Sequence, residues 1–137
     1  MSDLLERLRA RGWRMTSQRR VVAEVLTGDH VHLTADEVHV RAVRLLPEIS
    51  RATVYNTLGE LVQLGEVMEV SLDGRAKRYD PNAHRPHQHL ACSGCGLIRD
   101  VHPTGDPLAD LPEEERYGFA VSDVDITYRG LCPSCAP

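Results

Sequence analysis

The chain has few aromatic side chains and no long run of apolar residues. Phe, Trp and Tyr together make up 4% of its 137 residues, so any core must be built mainly from aliphatic side chains. The first residues, MSDLLERLRARG, mix charged residues with leucines and lack the continuous apolar segment of a signal peptide or a membrane span. We therefore expect a cytoplasmic protein with no membrane partner.

An overall excess of basic residues is also absent, since the formal net charge is −4. This acidity argues against a nucleic-acid partner, because DNA phosphates attract lysine and arginine. The charge is unevenly distributed, however: residues 1–82 carry twelve basic and twelve acidic side chains, whereas residues 83–137 carry four and eight. The first twenty residues hold six arginines against two acids. That excess could meet phosphate, or it could be a solvated helix face.

Capping residues divide the first part of the chain into four predicted helices. Leucines at helical spacing form the first helix, and each later helix begins at a side chain that can accept a hydrogen bond from the backbone. These capping residues are Thr16 or Ser17, Thr34 in a capping box with Glu37, and Ser50.

The pattern changes to alternating apolar and polar residues after the fourth helix. Residues 66–72 alternate, Asp73 and Gly74 mark a hairpin turn, and residues 76–79 form the returning strand. Helices with a tightly joined last pair, followed by a basic hairpin, predict a winged helix-turn-helix whose final helix enters the DNA major groove. An arbitrary helical bundle is the alternative.

The rest of the chain predicts a second, smaller domain. Strands are expected at 89–91, 97–101 and 119–128, with a short helix around 108–116. We predict an α+β protein with a winged-helix domain at 1–80, a linker at 81–86 and a small α/β domain at 87–137.

Four cysteines form two Cys-x-x-Cys pairs within this second domain. In a reducing cytoplasm such pairs indicate metal ligands rather than disulfides. A redox role is the alternative for either pair alone, but four thiolates close a tetrahedral shell and leave no open position. We predict a structural zinc site made of Cys92, Cys95, Cys132 and Cys135.

A second set of metal-binding side chains lies around the first cysteine pair. His87 and His89 point to the same face of a strand, and Asp80 and Asp100 lie on either side in sequence. His32 would have to come from the first domain. Imidazole and carboxylate ligands suit iron, manganese, nickel or zinc and disfavour copper(I). An ion shared between the domains would act as a switch of their arrangement.

Four segments of the chain resemble the ferric uptake regulator family. They are RMTSQR at 14–19, TVYNTL at 53–58, HQHLACSGCG at 87–96 and GLCPSC at 130–135. The resemblance implies a homodimeric, metal-activated repressor of a palindromic operator in double-stranded DNA, dimerising through its second domain, and not an enzyme. The DNA-contacting residues it implies are Arg14, Thr16, Gln18, Arg19, Arg51, Thr53, Tyr55 and Asn56.

Within the family, Asn56 after Tyr55 and Asp80 after Arg-Tyr are similar to the peroxide-sensing branch. That branch binds Fe(II) or Mn(II) with three nitrogens and two oxygens, and peroxide oxidises a ligand histidine of its iron form. By this resemblance the regulatory ligands are His32, Asp80, His87, His89 and Asp100. A regulator of iron, zinc or nickel homeostasis in the same family is the alternative.

One departure and two other classes of protein stay open. The stretch from Asp80 to His87 is one residue longer than in the peroxide sensors, so His84 could replace Asp80 as a ligand. A hydrolytic metalloenzyme would use similar ligands, but the sequence has no HExxH motif. A zinc-ribbon scaffold would explain the cysteines and leave the winged-helix pattern without a role.

Overall fold

The computed structural model describes residues 3–28, 31–71, 74–83 and 88–137. The chain divides into two compact units, Met1–Arg85 and Pro86–Pro137. Across the described residues, every helix is too short or too polar to cross a bilayer.

The described residues of the N-terminal unit form four helices and three short strands. The helices are α1 (Leu4–Ala10), α2 (Ser17–Leu26), α3 (Ala35–Leu45) and α4 (Arg51–Gln63), and the strands are β1 (Leu33–Thr34), β2 (Met68–Val70) and β3 (Arg78–Asp80). The strands form an antiparallel sheet in the order β1-β3-β2. The predicted winged helix is confirmed, and its sheet has one strand more than the predicted hairpin.

The helices of this unit begin at the predicted capping residues. The Thr16 hydroxyl accepts from the Arg19 backbone N–H at 3.2 Å, and the Ser50 hydroxyl accepts from the Thr53 N–H at 3.1 Å. Thr34 and Glu37 form the reciprocal capping box. Gly65 follows α4 with φ +75°, a left-handed conformation that glycine adopts without steric cost and that ends the helix.

One aliphatic core joins the four helices to the sheet. Each fully buried aliphatic side chain of this kind contributes about 1.5–3 kcal/mol to folding. The buried side chains include Leu4, Leu8, Val22, Leu26, Leu33, Val38, Val54, Leu58, Leu61 and Val67.

The C-terminal unit is a three-stranded sheet with little helix. Its elements are β4 (Gln88–Cys92), β5 (Ile98–Val101), α5 (Pro107–Asp110), a 3-10 turn (Glu113–Glu115) and β6 (Thr127–Gly130). The sheet order is β5-β4-β6, with β5 antiparallel and β6 parallel to β4. The predicted α+β class is confirmed.

Two predicted elements of this unit are wrong in extent. The expected strand over 119–128 is confined to Thr127–Gly130, because only this segment pairs with β4. The expected helix over 108–116 is broken at Leu111 and Pro112, since proline lacks an N–H and disfavours helical geometry in the residue before it. Residues 84–86 of the predicted linker lie outside the described residues.

Candidate metal centres and nucleic-acid interface

The four cysteines lie at one end of the C-terminal sheet. Cys92 ends β4, and the parallel pairing of Cys92 with Gly130 brings the turn after β4 beside the segment after β6. The four Sγ atoms lie within 4.8 Å of one another, and the Sγ atoms of Cys95 and Cys132 are 3.8 Å apart. A tetrahedral site with Zn–S bonds of about 2.3 Å has S–S edges of about 3.8 Å. The predicted clustering is therefore confirmed, with dimensions that fit zinc.

The backbone around Cys92 favours its thiolate. Its Sγ accepts from the N–H groups of Cys132 at 3.3 Å, Cys95 at 3.4 Å and Gly94 at 3.3 Å, and these bonds lower the pKa of Cys92 to about 5. Hydrogen bonds with the sulfur atoms of Cys132, Cys92 and Cys95 raise the pKa of Cys135 to about 12. Cys92 is thus favoured as a thiolate, whereas Cys135 keeps a proton that a divalent cation would displace.

Gly94 allows the two cysteine pairs to approach each other. A Cβ atom at this position would lie 3.0 Å from the Cys135 Sγ and 3.1 Å from its Cβ. A side chain here would therefore force the Cys135 side chain to shift by a few tenths of an ångström.

The N-terminal unit contains a buried histidine–aspartate pair. His32 immediately precedes β1, and Asp80 ends β3, the strand with which β1 pairs. The His32 Nε2 lies 3.1 Å from the Asp80 Oδ2, and the two side chains are 3% and 0% exposed. The second carboxylate oxygen, Oδ1, accepts from the Asn82 N–H at 2.8 Å. Removing these two polar side chains from water costs folding free energy. That cost favours a role for them as metal ligands.

The C-terminal unit contains a second pair of the same kind. His89 on β4 lies directly opposite Asp100 on β5, and the His89 Nε2 is 3.5 Å from the Asp100 Oδ1, with both side chains 7% exposed. One nitrogen and one oxygen donor in each pair suit iron, manganese, nickel or zinc. His87 and the alternative ligand His84 lie outside the described residues.

The exposed face of α4 carries the side chains predicted to contact DNA. Arg51, Tyr55 and Asn56 are exposed, whereas Thr53 is half-buried. Asp36 on α3 pairs with the Arg51 guanidinium and accepts from the Tyr55 hydroxyl at 3.4 Å. The hydrogen bond from Arg51 to Asp36 raises the pKa of Arg51. No sequence signal identified Asp36, because this contact depends on the angle between two helices.

The RMTSQR segment before and within α2 divides into exposed and internally held residues. Arg14 and Gln18 are exposed, and Thr16 serves as the α2 cap. The Arg19 guanidinium donates to the Arg14 carbonyl at 2.9 Å and to Glu60 of α4 at 2.7 Å, and it lies 4.6 Å from the centre of the Trp13 ring. Arg19 therefore ties this segment to α4.

Comparisons with known proteins agree with this architecture. The sequence model described as "Ferric uptake regulator family" matches residues 10–129. The peroxide-responsive repressor PerR of Staphylococcus epidermidis is 34% identical over 98% of this chain and 89% of its own.

Solved structures resemble the chain over nearly its full length. The Campylobacter jejuni peroxide stress regulator has a TM-score of 0.73 and 30% identity, covering 98% of this chain and 100% of its own. A zinc-bound manganese uptake regulator has a TM-score of 0.70 and 27% identity, covering 96% and 99%. With the family model spanning most of the sequence, the resemblance inferred from the motifs is confirmed, and the chain belongs to the ferric uptake regulator family.

Proposed function

We propose that this protein is a metal-dependent, DNA-binding transcriptional repressor that senses peroxide through bound Fe(II) or Mn(II). The observation that carries the proposal is a buried histidine–aspartate pair in each unit of a ferric uptake regulator family protein. Relatives named as a peroxide-responsive repressor and a peroxide stress regulator support the sensing role. In this proposal the protein acts by binding DNA in the cytoplasm and is not an enzyme.

The four-cysteine cluster binds zinc in this proposal and has a structural role. Its sulfur donors are soft ligands that suit zinc better than magnesium or calcium. Four ligands of one type complete the tetrahedral shell, so the site has no position for a substrate. Cys92, Cys95, Cys132 and Cys135 then hold the C-terminal unit together.

The regulatory ion is held in this proposal by His32, Asp80, His89 and Asp100, with His87 as the fifth ligand. Three imidazole nitrogens and two carboxylate oxygens form a donor set that binds and releases Fe(II) or Mn(II). Held by these residues, Fe(II) would supply the redox chemistry by which peroxide transfers one oxygen atom to a ligand imidazole, while the other oxygen leaves as water. Because ligands come from both units, occupancy of the site would control DNA binding.

DNA recognition is assigned to residues 1–80 and dimerisation to residues 87–137, with residues 81–86 as the linker. In this proposal α4 enters the major groove through Arg51, Thr53, Tyr55 and Asn56, and the segment with Arg14, Thr16, Gln18 and Arg19 contacts the backbone. The C-terminal unit exposes Leu90, Leu97, Tyr128 and Leu131, and Leu90 is paired with Tyr128 on the neighbouring strand. Apolar side chains exposed together support a homodimer, whose twofold axis implies a palindromic operator.

Operator binding by zinc-loaded protein tests this function. The protein is titrated onto promoter DNA with Mn(II), Fe(II), Zn(II) or Ni(II), before and after peroxide. We expect Mn(II) and Fe(II) to support binding, and peroxide to abolish binding of the iron form only. Mass spectrometry should then find one added oxygen on His32 or His89.

His89→Ala should lose the metal response, whereas the exposed His102→Ala serves as the matched control and should retain it. An iron-loaded protein that stays unmodified and bound to DNA after peroxide would refute the sensing role. A response confined to zinc or nickel would instead identify a regulator of metal homeostasis.

A further inference from the structure

Glu66 is a buried carboxylate held by Arg7 of α1 and by Arg11, the C-cap of that helix. It lies between α4 and β2 with a side chain only 6% exposed. The Arg7 Nε is 2.9 Å from Oε2 of Glu66, and the Arg11 Nη1 is 2.8 Å from Oε1. A buried carboxylate is strongly stabilised by such partners and destabilised by their loss. The two ion pairs therefore fix the rotation of α1 against the start of the wing.

Arg7 also contacts the residue that follows β3, whereas Arg11 contacts the end of α4. The Nη2 of Arg7 donates to the backbone carbonyl of Pro81 at 2.6 Å, while the Nη1 of Arg11 donates to the Leu64 carbonyl at 3.0 Å. Pro81 is buried and directly follows Asp80. Arg7 thus connects α1 to the residue next to a proposed metal ligand.

The Pro81 carbonyl belongs to the same peptide group as the Asn82 N–H. That N–H donates to the Asp80 Oδ1 at 2.8 Å. A peptide group is planar, so a donor that fixes the direction of its carbonyl also fixes the direction of its N–H. A charged donor on the oxygen also polarises the N–H and strengthens the second hydrogen bond. Arg7 therefore acts on the Asp80 carboxylate through one rigid group.

We propose that Arg7 is a positioning residue for the regulatory metal site: through the Pro81–Asn82 peptide it orients the Asp80 carboxylate, leaving Oδ2 directed at His32. The inference rests on the proposed function, in which Asp80 is a ligand. Partners that orient a metal ligand in this way change metal affinity by about 10- to 100-fold. Because Arg7 lies on α1, the same contact makes the metal site sensitive to the position of that helix.

Mn(II) binding to the zinc-loaded full chain tests the inference, with free Mn(II) measured by electron paramagnetic resonance. Arg7→Gln should weaken Mn(II) binding by about 10-fold. Arg11→Gln is the matched control, because it also removes an ion pair with Glu66 but leaves the contact between Arg7 and Pro81. It should change Mn(II) affinity by less than about 3-fold, well below the effect expected of Arg7→Gln.

A second measurement separates positioning from general destabilisation. Amide hydrogen exchange at Asn82 in the zinc-loaded, manganese-free protein should accelerate in Arg7→Gln and stay unchanged in Arg11→Gln. If Arg7→Gln is too unstable to study, Arg7→Gln combined with Glu66→Gln removes the buried charge along with its partner and should show the same two effects.

Asp80→Asn distinguishes failure of the inference from failure of the proposed function. If Asp80→Asn weakens Mn(II) binding while Arg7→Gln leaves it and the Asn82 exchange unchanged, the positioning role is overturned and the ligand assignment stands. If Asp80→Asn leaves Mn(II) affinity unchanged, the ligand assignment fails and the role of Arg7 fails with it. Equal weakening by Arg7→Gln and Arg11→Gln would reduce Arg7 to a structural residue.

Discussion

Two buried carboxylates of the N-terminal unit lie at one end of its wing, where Met68 at the start of β2 pairs with Asp80. Glu66 precedes β2 and is 4% exposed, and Asp80 ends β3 and is fully buried. Removing such a group from water costs several kcal/mol, which ion pairs and hydrogen bonds only partly offset. An apolar residue would serve stability as well, so these carboxylates are better explained by the contacts that they make: Glu66 holds α1, and Asp80 pairs with His32 as a proposed metal ligand.

Tyr79, between these carboxylates in sequence, gives the N-terminal unit a pH-dependent stability. The residue is 7% exposed, and its burial raises the pKa of its phenol, with a further increase from Glu69. Since the folded protein holds the proton more tightly than the unfolded chain, the contribution is complete below about pH 10 and is lost as pH rises through the higher folded-state pKa.

We expect the free energy of unfolding to fall more steeply above pH 10 in the wild type than in Tyr79→Phe. The difference in slope should reach at most about 1.4 kcal/mol per pH unit, the value for one proton. Urea denaturation between pH 8 and 11, followed by the fluorescence of the single tryptophan, measures it. Tyr117→Phe, at a ring that is 84% exposed, is the control. Parallel curves for wild type and Tyr79→Phe would contradict the prediction.

Helix starts and the cysteine cluster were predictable because their signals are local. A hydroxyl that caps a helix accepts from the backbone N–H three residues later, so a short stretch of sequence is enough to predict it, as at Thr16, Thr34 and Ser50. The spacing of the two Cys-x-x-Cys pairs likewise predicts a metal site. The structure adds the pairing of β4 with β6, which brings the two pairs together. The alternating pattern predicted the returning strand at residues 76–79, whereas the strand in the structure is Arg78–Asp80 and includes Asp80.

The missed elements depend on partners distant in sequence. β1 has two residues and exists because β3 offers it an edge, and β6 forms only along its contact with β4. The ion pairs of Glu66 with Arg7 and Arg11 bridge 59 and 55 residues and require the packing of α1 against the folded unit. No periodicity within a segment encodes such contacts, which is why sequence patterns predict elements better than the bonds between them.

Thr34 joins the wing to α3, and its loss should destabilise the N-terminal unit. It lies in β1 opposite Arg78, caps α3 by accepting from the Glu37 N–H at 3.1 Å, and returns a bond from its own N–H to Glu37 at 3.1 Å. Thr34→Ala should lower the free energy of unfolding by about 1 kcal/mol. Thr34→Ser keeps the hydroxyl and should retain most of the stability in urea denaturation. Equal losses in both variants would show that the methyl group, not the cap, matters.

The two units differ in how they are stabilised. The large core cluster lies wholly within the N-terminal unit. In the described part of the C-terminal unit, the buried apolar residues are Ala91, Cys92 and Ile98. Two small side chains and one isoleucine supply little of the burial that a folded unit needs, and small units in this situation use a metal or a partner subunit. The four-cysteine cluster joins β4 to the segment after β6 and can supply the missing stabilisation.

Removing zinc should therefore unfold the C-terminal unit selectively. Structural zinc contributes on the order of 10 kcal/mol to folding, more than the small core of this unit can replace, whereas the N-terminal core contains no cysteine. With a strong chelator we expect Trp13 fluorescence and most helical circular dichroism to persist, while amide protection is lost in β4, β5 and β6 and all four thiols become reactive. Loss of both units together would mean that the N-terminal core does not fold without its neighbour.

Gly94→Ala should release zinc at a lower chelator concentration than the wild type, because its Cβ would crowd the Cys135 sulfur. Gly59→Ala, where a Cβ has open space, is the control.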